Sequence, residues 1–333
     1  MIKSKKILLA VTMGDAAGIG PEIILKTLQD KKLSQKCTLI VIGDEIVLRK
    51  TAEKMNLSYV LKQITPNQIQ QAKEHALINL SLFKTLPPSG KPSKLCGKAA
   101  IQYLELAVQF ARNNWVSGIV TAPINKEILK LADSPFHGHT EYLAFLTKTR
   151  KFGMAFTGGG LKLILATIHE PLSKVSGLLT KPRLRSTISL ALRACEELGL
   201  KHPKIGVAGF NPHAGENGMF GLEEIKTITP IIHEFQKKGC QVIGPVPPDT
   251  LFHRALSGEF DFLVTMYHDQ ALIPLKTLDF HGGVNFTVGL PIIRTSPDHG
   301  TAYNLVGKGL ANPSSMISAV HLAIEMAQNR KLT

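Results

Sequence analysis

The fold of this chain is decided by the segment Phe262-Leu263-Val264-Thr265-Met266-Tyr267-His268-Asp269-Gln270. Its first five residues are apolar or β-branched, which is typical of a buried strand. A histidine and an aspartate follow directly, and the carboxyl end of a strand is where open α/β sheets bind their ligands. The wider stretch Phe262–Pro313 also contains Lys276, Asn285, Arg294 and a glycine-punctuated loop. Most of the candidate chemistry therefore lies in this one segment.

Working outward, strand-like apolar runs alternate with helical patterns along the whole chain, and this alternation predicts an α/β protein with a mostly parallel sheet. A turn at 122–126 is the candidate domain boundary, and 62–95 is expected to hold loops and short strands. The predicted strands are 7–12, 39–43, 118–121, 152–157, 162–168, 204–210, 241–244 and 262–266. The predicted helices are 21–33, one from 44, 95–114, one after the turn at 122–126, one from 140, 181–198, 221–238, 249–256 and 312–328.

The composition is that of a globular protein, because 44% of the 333 residues are hydrophobic and 19% are charged. This length suffices for two domains. No apolar run approaches the length of a membrane span, and the run Ile7–Thr12 is too short for a signal-peptide core. The scattered cysteines form no Cys-x-x-Cys pair, which predicts reduced thiols in a cytoplasmic protein. They are Cys37, Cys96, Cys195 and Cys240.

The charge balance is basic, with 39 Lys and Arg against 25 Asp and Glu, a net charge of +14. The basic residues are spread along the chain in short clusters, without an arginine-rich arm or interleaved aromatic residues. We therefore favour a surface that attracts small anions. Nucleic-acid binding is the alternative from a different functional class, and neither nucleic acid nor membrane is predicted as a partner.

A glycine-rich turn follows the first predicted strand and leads into a helix: Gly14-Asp15-Ala16-Ala17-Gly18-Ile19-Gly20-Pro21-Glu22. Backbone N–H groups at such a helix start can bind an anion. The spacing is not that of the Gly-x-Gly-x-x-Gly dinucleotide fingerprint. A tight structural turn and a binding loop are therefore equally good interpretations.

Three histidines each follow a predicted strand, namely His169, His213 and His268. Equivalent positions in one sheet would let them converge on a metal with a position left open for substrate. A lone histidine is more often a hydrogen-bonded structural residue, and the long spacing matches no local zinc motif. The pattern alone leaves both interpretations open.

Candidate anion ligands occur at Gly138-His139-Thr140-Glu141, where a phosphate would lie at a helix start or Thr140 would simply cap the helix. Lys276, Asn285 and Arg294 would complete an anion clamp. Arg294 follows the apolar run 291–293 and is expected to be buried, and its planar fork suits carboxylate or phosphate.

Taken together and in order, these motifs resemble the 4-hydroxythreonine-4-phosphate dehydrogenases, the NAD-dependent enzymes of vitamin B6 biosynthesis, over essentially the whole chain. The resemblance rests on Ala17–Glu22, Thr121–Lys126, Gly138–Glu141, Asn211–Glu216, Pro247–Thr250, Met266–Gln270, Gly283–Asn285, Gly289–Pro291, Arg294–Ser296 and Asp298–Ala302.

The resemblance implies two α/β/α domains with mostly parallel sheets, similar to isocitrate and isopropylmalate dehydrogenases, with the active site in the interdomain cleft. The first domain would span 1–125 and 281–333, and the second, with the metal ligands and a dimer interface, 126–280. It implies NAD, with NADP as the alternative, and a divalent metal, zinc before magnesium or cobalt. The enzyme would be a homodimer whose metal site draws on both subunits, and its product would be passed on in pyridoxine phosphate synthesis.

The resemblance also assigns the site residues. The metal ligands would be His169, His213 and His268, and the catalytic candidates Asp249, Asp269 and Lys276. The substrate would be bound by His139, Thr140, Lys276, Asn285 and Arg294. The cofactor would be bound by Gly14, Gly18, His299, Gly300, Thr301, Asn304 and Asn312.

Two departures from the family pattern bear on specificity. Met13 and Asp15 stand where Pro and Glu are often found, and they also occur in relatives that oxidise other phosphorylated hydroxy acids. Asn304 replaces an acidic residue that binds the cofactor ribose in many NAD enzymes. The substrate expected is 4-phosphohydroxy-L-threonine, with phosphorylated threonate or erythronate as the alternative, and an aromatic cis-dihydrodiol disfavoured by the phosphate clamp.

Overall fold

The computed structural model describes residues 6–136 and 138–330. The chain forms two compact units. Unit 1 comprises Met1–Arg150 and Leu290–Thr333, and unit 2 comprises Lys151–Gly289. Each unit contributes six strands and has its own covering helices.

The elements follow one another in the alternating order that the sequence predicts. The strands are β1 Ile7–Thr12, β2 Cys37–Gly43, β3 Lys62–Gln63, β4 Ala76–Asn79, β5 Gly118–Thr121, β6 Gly153–Gly158, β7 Leu161–Leu165, β8 Ile205–Ala208, β9 Val242–Val246, β10 Phe262–Thr265, β11 Val284–Val288 and β12 Arg294–Pro297. The α-helices are α1 Gly20–Leu28, α2 Lys31–Lys36, α3 Glu45–Met55, α4 Lys94–Arg112, α5 Lys126–Leu131, α6 His139–Leu146, α7 Leu172–Leu178, α8 Lys181–Glu197, α9 Thr229–Gln236, α10 Pro248–Leu256, α11 His268–Leu278 and α12 Ser314–Asn329.

The sheet of unit 1 has the strand order β3-β4-β2-β1-β5-β12, and its pairings are parallel. Strands β1 and β2 are buried along their whole length, as expected when helices cover both faces. Helix α4 packs on β1, β2 and β5, and α12 packs on β12 and β5. The carboxyl ends of β1 and β5 therefore lie side by side at one edge of this sheet.

The sheet of unit 2 has the order β11-β6-β7-β10-β8-β9. Strands β7, β10, β8 and β9 are parallel, whereas β6 runs antiparallel to both β7 and β11. Helices α8 and α11 pack on β6, β7 and β10. The α/β class with mostly parallel sheets is confirmed.

Most predicted elements are confirmed with small shifts of their ends, but the helix predicted at 21–33 is two helices. Asp30 ends the first and caps the second, since its carboxylate accepts hydrogen bonds from Lys32 N at 2.8 Å and Leu33 N at 3.2 Å. The sequence analysis also lacked α7, α11, β11 and β12.

The boundaries of the units differ from the predicted 125/126 and 280/281. Helices α5 and α6 pack on α4 and so stay with unit 1. Strand β11 pairs with β6, so Val284–Val288 belongs to unit 2. Within the described part of the chain, no helix is both long enough and apolar enough to cross a membrane.

Candidate active site

Three neighbouring parallel strands of unit 2 precede the three candidate metal ligands. The order of these strands is β7-β10-β8, so β10 is paired on both sides. Leu263 of β10 lies opposite Leu163 of β7 and Gly206 of β8. His169 follows β7, His268 follows β10 and His213 follows β8. The sequence-based expectation that these histidines follow strands of one sheet is therefore met.

His169 and His268 lie together beyond the ends of β7 and β10. Their ring centroids are 5.6 Å apart. The two strand ends are held together by Thr167, whose N and Oγ1 both donate to Met266 O, at 3.1 and 2.7 Å. His268 Nδ1 lies 2.6 Å from Asp269 Oδ1. A carboxylate that accepts the Nδ1 proton leaves Nε2 as the ring nitrogen with a lone pair for a ligand.

His213 occupies an unusual turn. The five residues His213–Asn217 all have left-handed φ values between 40° and 83°. The buried Glu224 anchors the start of this turn, because its Oε1 accepts from Phe210 N and Asn211 N, both at 2.7 Å. The turn presents the exposed His213 ring 6.1 Å from the ring of Phe220.

Within residues 6–136 and 138–330, no three His, Cys, Asp or Glu side chains are close enough together to hold a metal ion. These residues include a histidine pair with an orienting carboxylate, and His213 does not form a three-ligand group with that pair. The donor chemistry of the pair fits a divalent ion of the zinc type.

The remaining candidates of unit 2 lie on α10, α11 and β11. Asp249 is an exposed residue in the first turn of α10, which packs beside the turn that carries His213. Asp269 and Lys276 belong to α11, and Lys276 Nζ lies 5.9 Å from the centre of the Phe280 ring. Asn285 is on β11, opposite Phe156.

Unit 1 contains a buried arginine close to the start of α6. Arg294 is 3% exposed, which confirms the burial expected from the sequence. Its Nη2 and Nε lie 2.9 and 3.3 Å from Thr121 Oγ1, the acceptor that fixes the guanidinium. Burial lowers the pKa of Arg294 to about 10, and Glu141 opposes this shift. Arg294 therefore remains charged at neutral pH.

His139 and Thr140 form the first turn of α6. The helix cap is Gly138, so the expectation that Thr140 acts as the cap is wrong; Thr140 is a buried residue inside the helix. Desolvation and then the charge of Arg294 lower the pKa of His139 well below its usual value. At neutral pH His139 is therefore uncharged and offers one N–H donor.

The glycine-rich turn of unit 1 is packed against other backbone. Its N–H groups at Asp15, Gly18 and Ile19 donate to Pro123 O, Asp15 O and Thr301 O, each at 3.0 Å. A Cβ on Gly14, at φ +69°, would lie 2.4 Å from Pro123 O, and one on Gly18 would lie 2.9 Å from Thr301 Cβ. These contacts support the structural interpretation of the turn.

The loop after β12 lies on that turn. His299 Nδ1 is 3.0 Å from Gly300 O, while its Nε2 is buried and has no hydrogen-bond partner within the described residues. Asn304 is exposed, and Asn312 Oδ1 accepts from Ser314 N at 2.9 Å at the start of α12. A buried acceptor without a partner, such as His299 Nε2, is expected in the free protein if donor groups of a bound nucleotide normally satisfy it.

A pocket next to this loop is lined by Ala16, Gly18, Glu22, Thr51, Lys54, Met55, Leu86, Pro87, Ser89, Val306 and Gly307. It combines apolar surface with a few polar groups, as small-molecule sites do. The glycine-rich turn and the loop after β12 thus both contribute residues to this pocket.

Sequence reasoning gave no role to Gln270, Glu224 or Tyr303, and it treated Asp15 only as a departure from the family pattern. Gln270 joins two strand ends, because its Oε1 accepts from Met266 N at 2.7 Å and its Nε2 donates to Gly209 O at 2.8 Å. Tyr303 donates to the carboxylate of Asp15. Only Asp15 and Gln270 stand within motifs found in the sequence, and a motif does not reveal which of its side chains is turned inward.

One α/β unit has a buried arginine beside a helix start and the other has a carboxylate-oriented histidine pair, an arrangement that is typical of enzymes with small anionic substrates. A family model described as pyridoxal phosphate biosynthetic protein PdxA matches residues 35–323. The chain belongs to this PdxA family and is a dehydrogenase of the PdxA type.

Individual relatives agree over nearly the full length. The chain is 43% identical to 4-hydroxythreonine-4-phosphate dehydrogenase of Desulfosudis oleivorans, over 96% of each chain. It is 41% identical to D-threonate 4-phosphate dehydrogenase of Cupriavidus necator, over 97% of this chain and 98% of that one. A crystal structure of the Klebsiella pneumoniae 4-hydroxythreonine-4-phosphate dehydrogenase superposes with a TM-score of 0.89 at 40% identity, covering 98% of this chain and 99% of that one.

Proposed function

We propose that this protein catalyses the NAD-dependent, divalent-metal-dependent oxidation of 4-phosphohydroxy-L-threonine in vitamin B6 biosynthesis. C3 would lose its hydrogen as a hydride to the cofactor and the C3 hydroxyl would lose its proton to the protein, which gives 2-amino-3-oxo-4-phosphooxybutanoate. This β-keto acid loses carbon dioxide from C1 and takes up a proton at C2, which yields 3-amino-2-oxopropyl phosphate. A cytoplasmic location stays a prediction.

The observation that carries the proposal is the cluster of Arg294, His139 and Thr140. A fixed guanidinium beside the first turn of a helix is well suited to a phosphate, because both supply N–H donors and positive potential. His139, neutral at pH 7, adds a further donor. Binding energy from this remote phosphate would hold the substrate in position for the reaction at C3.

On the unit 2 side, we assign Lys276 and Asn285 to substrate binding and His169, His213 and His268 to the metal. When bound, the ion would supply Lewis-acid polarisation of the substrate oxygens, and the nicotinamide would accept the hydride. Asp269 holds the tautomer of His268. Asp249 and Lys276 are candidates for moving the proton. Zinc suits imidazole ligands best, with magnesium or cobalt as alternatives.

The cofactor would bind unit 1 at the loop after β12, with Gly14, Gly18, His299, Gly300, Thr301, Asn304 and Asn312 around it. NAD is the cofactor we expect, with NADP as the alternative. Because Gly14 and Gly18 pack against backbone, their role would be to let the loop approach the turn closely.

D-threonate 4-phosphate is the second candidate substrate, and the relative of that name from C. necator favours it. The same sequence of steps would convert it to dihydroxyacetone phosphate. The two substrates share the phosphate and differ at C2, where one carries an amino group and the other a hydroxyl group.

The homodimer is also part of the proposal, and two observations support it. The His213 turn lies apart from the histidine pair of its own chain. It is followed by large exposed apolar side chains, among them Met219 at 75%, Phe220 at 48% and Ile225 at 51% exposure. A second copy that covers this surface would bury it and would bring His213 to a site on the partner.

The test is NADH formation from each substrate with the metal-loaded protein, with and without a chelator, and with identification of the product by mass spectrometry. We expect turnover of 4-phosphohydroxy-L-threonine that the chelator abolishes. Preferential turnover of D-threonate 4-phosphate would select the second candidate. No turnover of either would refute the proposal.

A further inference from the structure

A buried carboxylate outside the proposed metal and phosphate sites lies at the carboxyl end of β1. Asp15 is fully buried, at 0% exposure. Its Oδ1 accepts from Ala17 N at 2.9 Å, and its Oδ2 accepts from the hydroxyl of Tyr303. One side chain therefore joins the glycine-rich turn to the loop after β12.

Hydrogen bonds and close packing connect three backbone segments around this pair. Ile19 N donates to Thr301 O at 3.0 Å, and Gly90 N donates to Ala17 O at 2.8 Å. A Cβ on Gly90 would lie 2.9 Å from Tyr303 O, so Tyr303 is packed on this side as well. Between Thr301 and Tyr303 the chain must pass through Ala302, a non-glycine residue in the left-handed region at φ 40°.

Left-handed alanine is an unfavourable conformation that persists only where neighbouring contacts over-determine it. The hydrogen bond from Tyr303 to Asp15 is such a contact, because it fixes the residue directly after Ala302. Desolvation raises the pKa of Asp15, which means that burial is unfavourable for the ionised carboxylate at this position. Two apolar side chains of the same size would avoid this loss of solvation. The presence of a polar pair here is therefore better explained by a role in loop geometry.

The far end of the loop has a separate anchor. Lys26 Nζ donates to Gly309 O at 2.9 Å and to Ala311 O at 2.7 Å. Ala311 N donates to Glu22 Oε1 at 3.1 Å. Loss of the Tyr303 hydroxyl would therefore loosen only the near end, around His299 and Thr301.

We propose that Asp15 and Tyr303 are positioning residues that hold the near end of the loop Asp298–Asn312 in the conformation that binds the dinucleotide. This inference rests on the proposed function, which assigns that loop to the cofactor. The pair acts through the loop and contacts neither substrate nor reacting atoms in this assignment.

The test measures dissociation constants of NADH, by its fluorescence, and of ADP-ribose, by calorimetry, for the full-length metal-loaded protein. In Tyr303→Phe and Asp15→Asn we expect both ligands to bind about tenfold more weakly, since a hydrogen bond to a charged group is lost. The double variant should bind both ligands with dissociation constants no higher than those of the more weakly binding single variant, because the residues act as one pair. Metal content and turnover at saturating dinucleotide should stay close to wild type.

Tyr59→Phe is the matched control, because Tyr59 lies outside the loop and stacks on Arg49, and its ligand affinities should be those of wild type. Unchanged dissociation constants in Tyr303→Phe would overturn the inference, as would equal losses in kcat and in dinucleotide affinity. If Asp15→Asn does not fold, Tyr303→Phe decides alone. Absence of dinucleotide binding to the wild-type protein would instead refute the proposed function.

Discussion

His268 Nδ1 and Asp269 Oδ1 lie 2.6 Å apart, although the two residues are neighbours in the chain at the start of α11. The contact makes the carboxylate an orienting partner of the ring and leaves Nε2 as the nitrogen that would bind the proposed metal. Because Asp269 is exposed, its contribution to overall stability is small, and its effect should show in metal binding.

We therefore expect Asp269→Asn to weaken binding of zinc by about 10- to 100-fold, the usual cost of losing such a partner. The measurement is a competition titration with a chromophoric chelator on the assembled protein. Glu196→Gln, an exposed change on α8, is the control. An unchanged zinc dissociation constant would remove Asp269 from the metal site.

The second prediction concerns Arg294. Arg294→Lys keeps the positive charge but loses the planar fork that Thr121 fixes. We expect KM for the phosphorylated substrate to rise about tenfold or more, since a charge-assisted hydrogen bond is lost. The dissociation constant of NADH should be unchanged. Arg112→Lys, an exposed arginine of α4, serves as the control, and wild-type kinetics in Arg294→Lys would make Arg294 a structural residue.

The third prediction is a pH dependence of stability that arises outside the site. His75 is buried; its Nδ1 accepts from Leu39 N at 3.0 Å, and its Nε2 lies 2.9 Å from Ser34 Oγ. Desolvation, and then the charge of Lys6, lower the pKa of His75 from its usual value of 6.5. Above pH 6.5 the ring is neutral in both the folded and the unfolded state.

As the pH falls below 6.5, the unfolded chain takes up a proton that folded His75 does not. The free energy of unfolding should then fall with a slope of up to about 1.4 kcal/mol per pH unit, until the pH reaches the lower folded-state pKa. His75→Gln should flatten this slope between pH 5 and 7 in urea titrations. His233→Gln, at an exposed position, should keep it, and equal slopes in wild type and His75→Gln would contradict the prediction.

The sequence predicted the parts of this fold that depend on local pattern. The buried strands β1, β2 and β10 are apolar runs of the expected length, and burial of Arg294 followed from its apolar neighbours. The left-handed turn at His213 was not predictable, because its conformation is imposed by Glu224 eleven residues later. The Asp15–Tyr303 bond joins residues 288 positions apart. Helix α11 begins at His268 and contains Pro274. The sequence indicated candidate ligands at this point but no helix, and a proline inside a helix is unfavourable.

The last prediction asks which chain supplies which histidine. His169 and His268 of one chain are adjacent, whereas His213 is not grouped with them, so we expect a shared site made from the pair of one subunit and His213 of the other. In a dimer of His213→Ala with His268→Ala, one site would be complete and the other would lack two ligands. Random mixing makes half of the dimers mixed, so about a quarter of wild-type activity and zinc content should return. A mixture of His169→Ala with His268→Ala is the matched control and should stay inactive, because both ligands of the pair come from one chain. Recovery in both mixtures would mean that His268 alone crosses the interface. Recovery in neither mixture, with subunit exchange verified by mass spectrometry, would mean that each chain builds its own site.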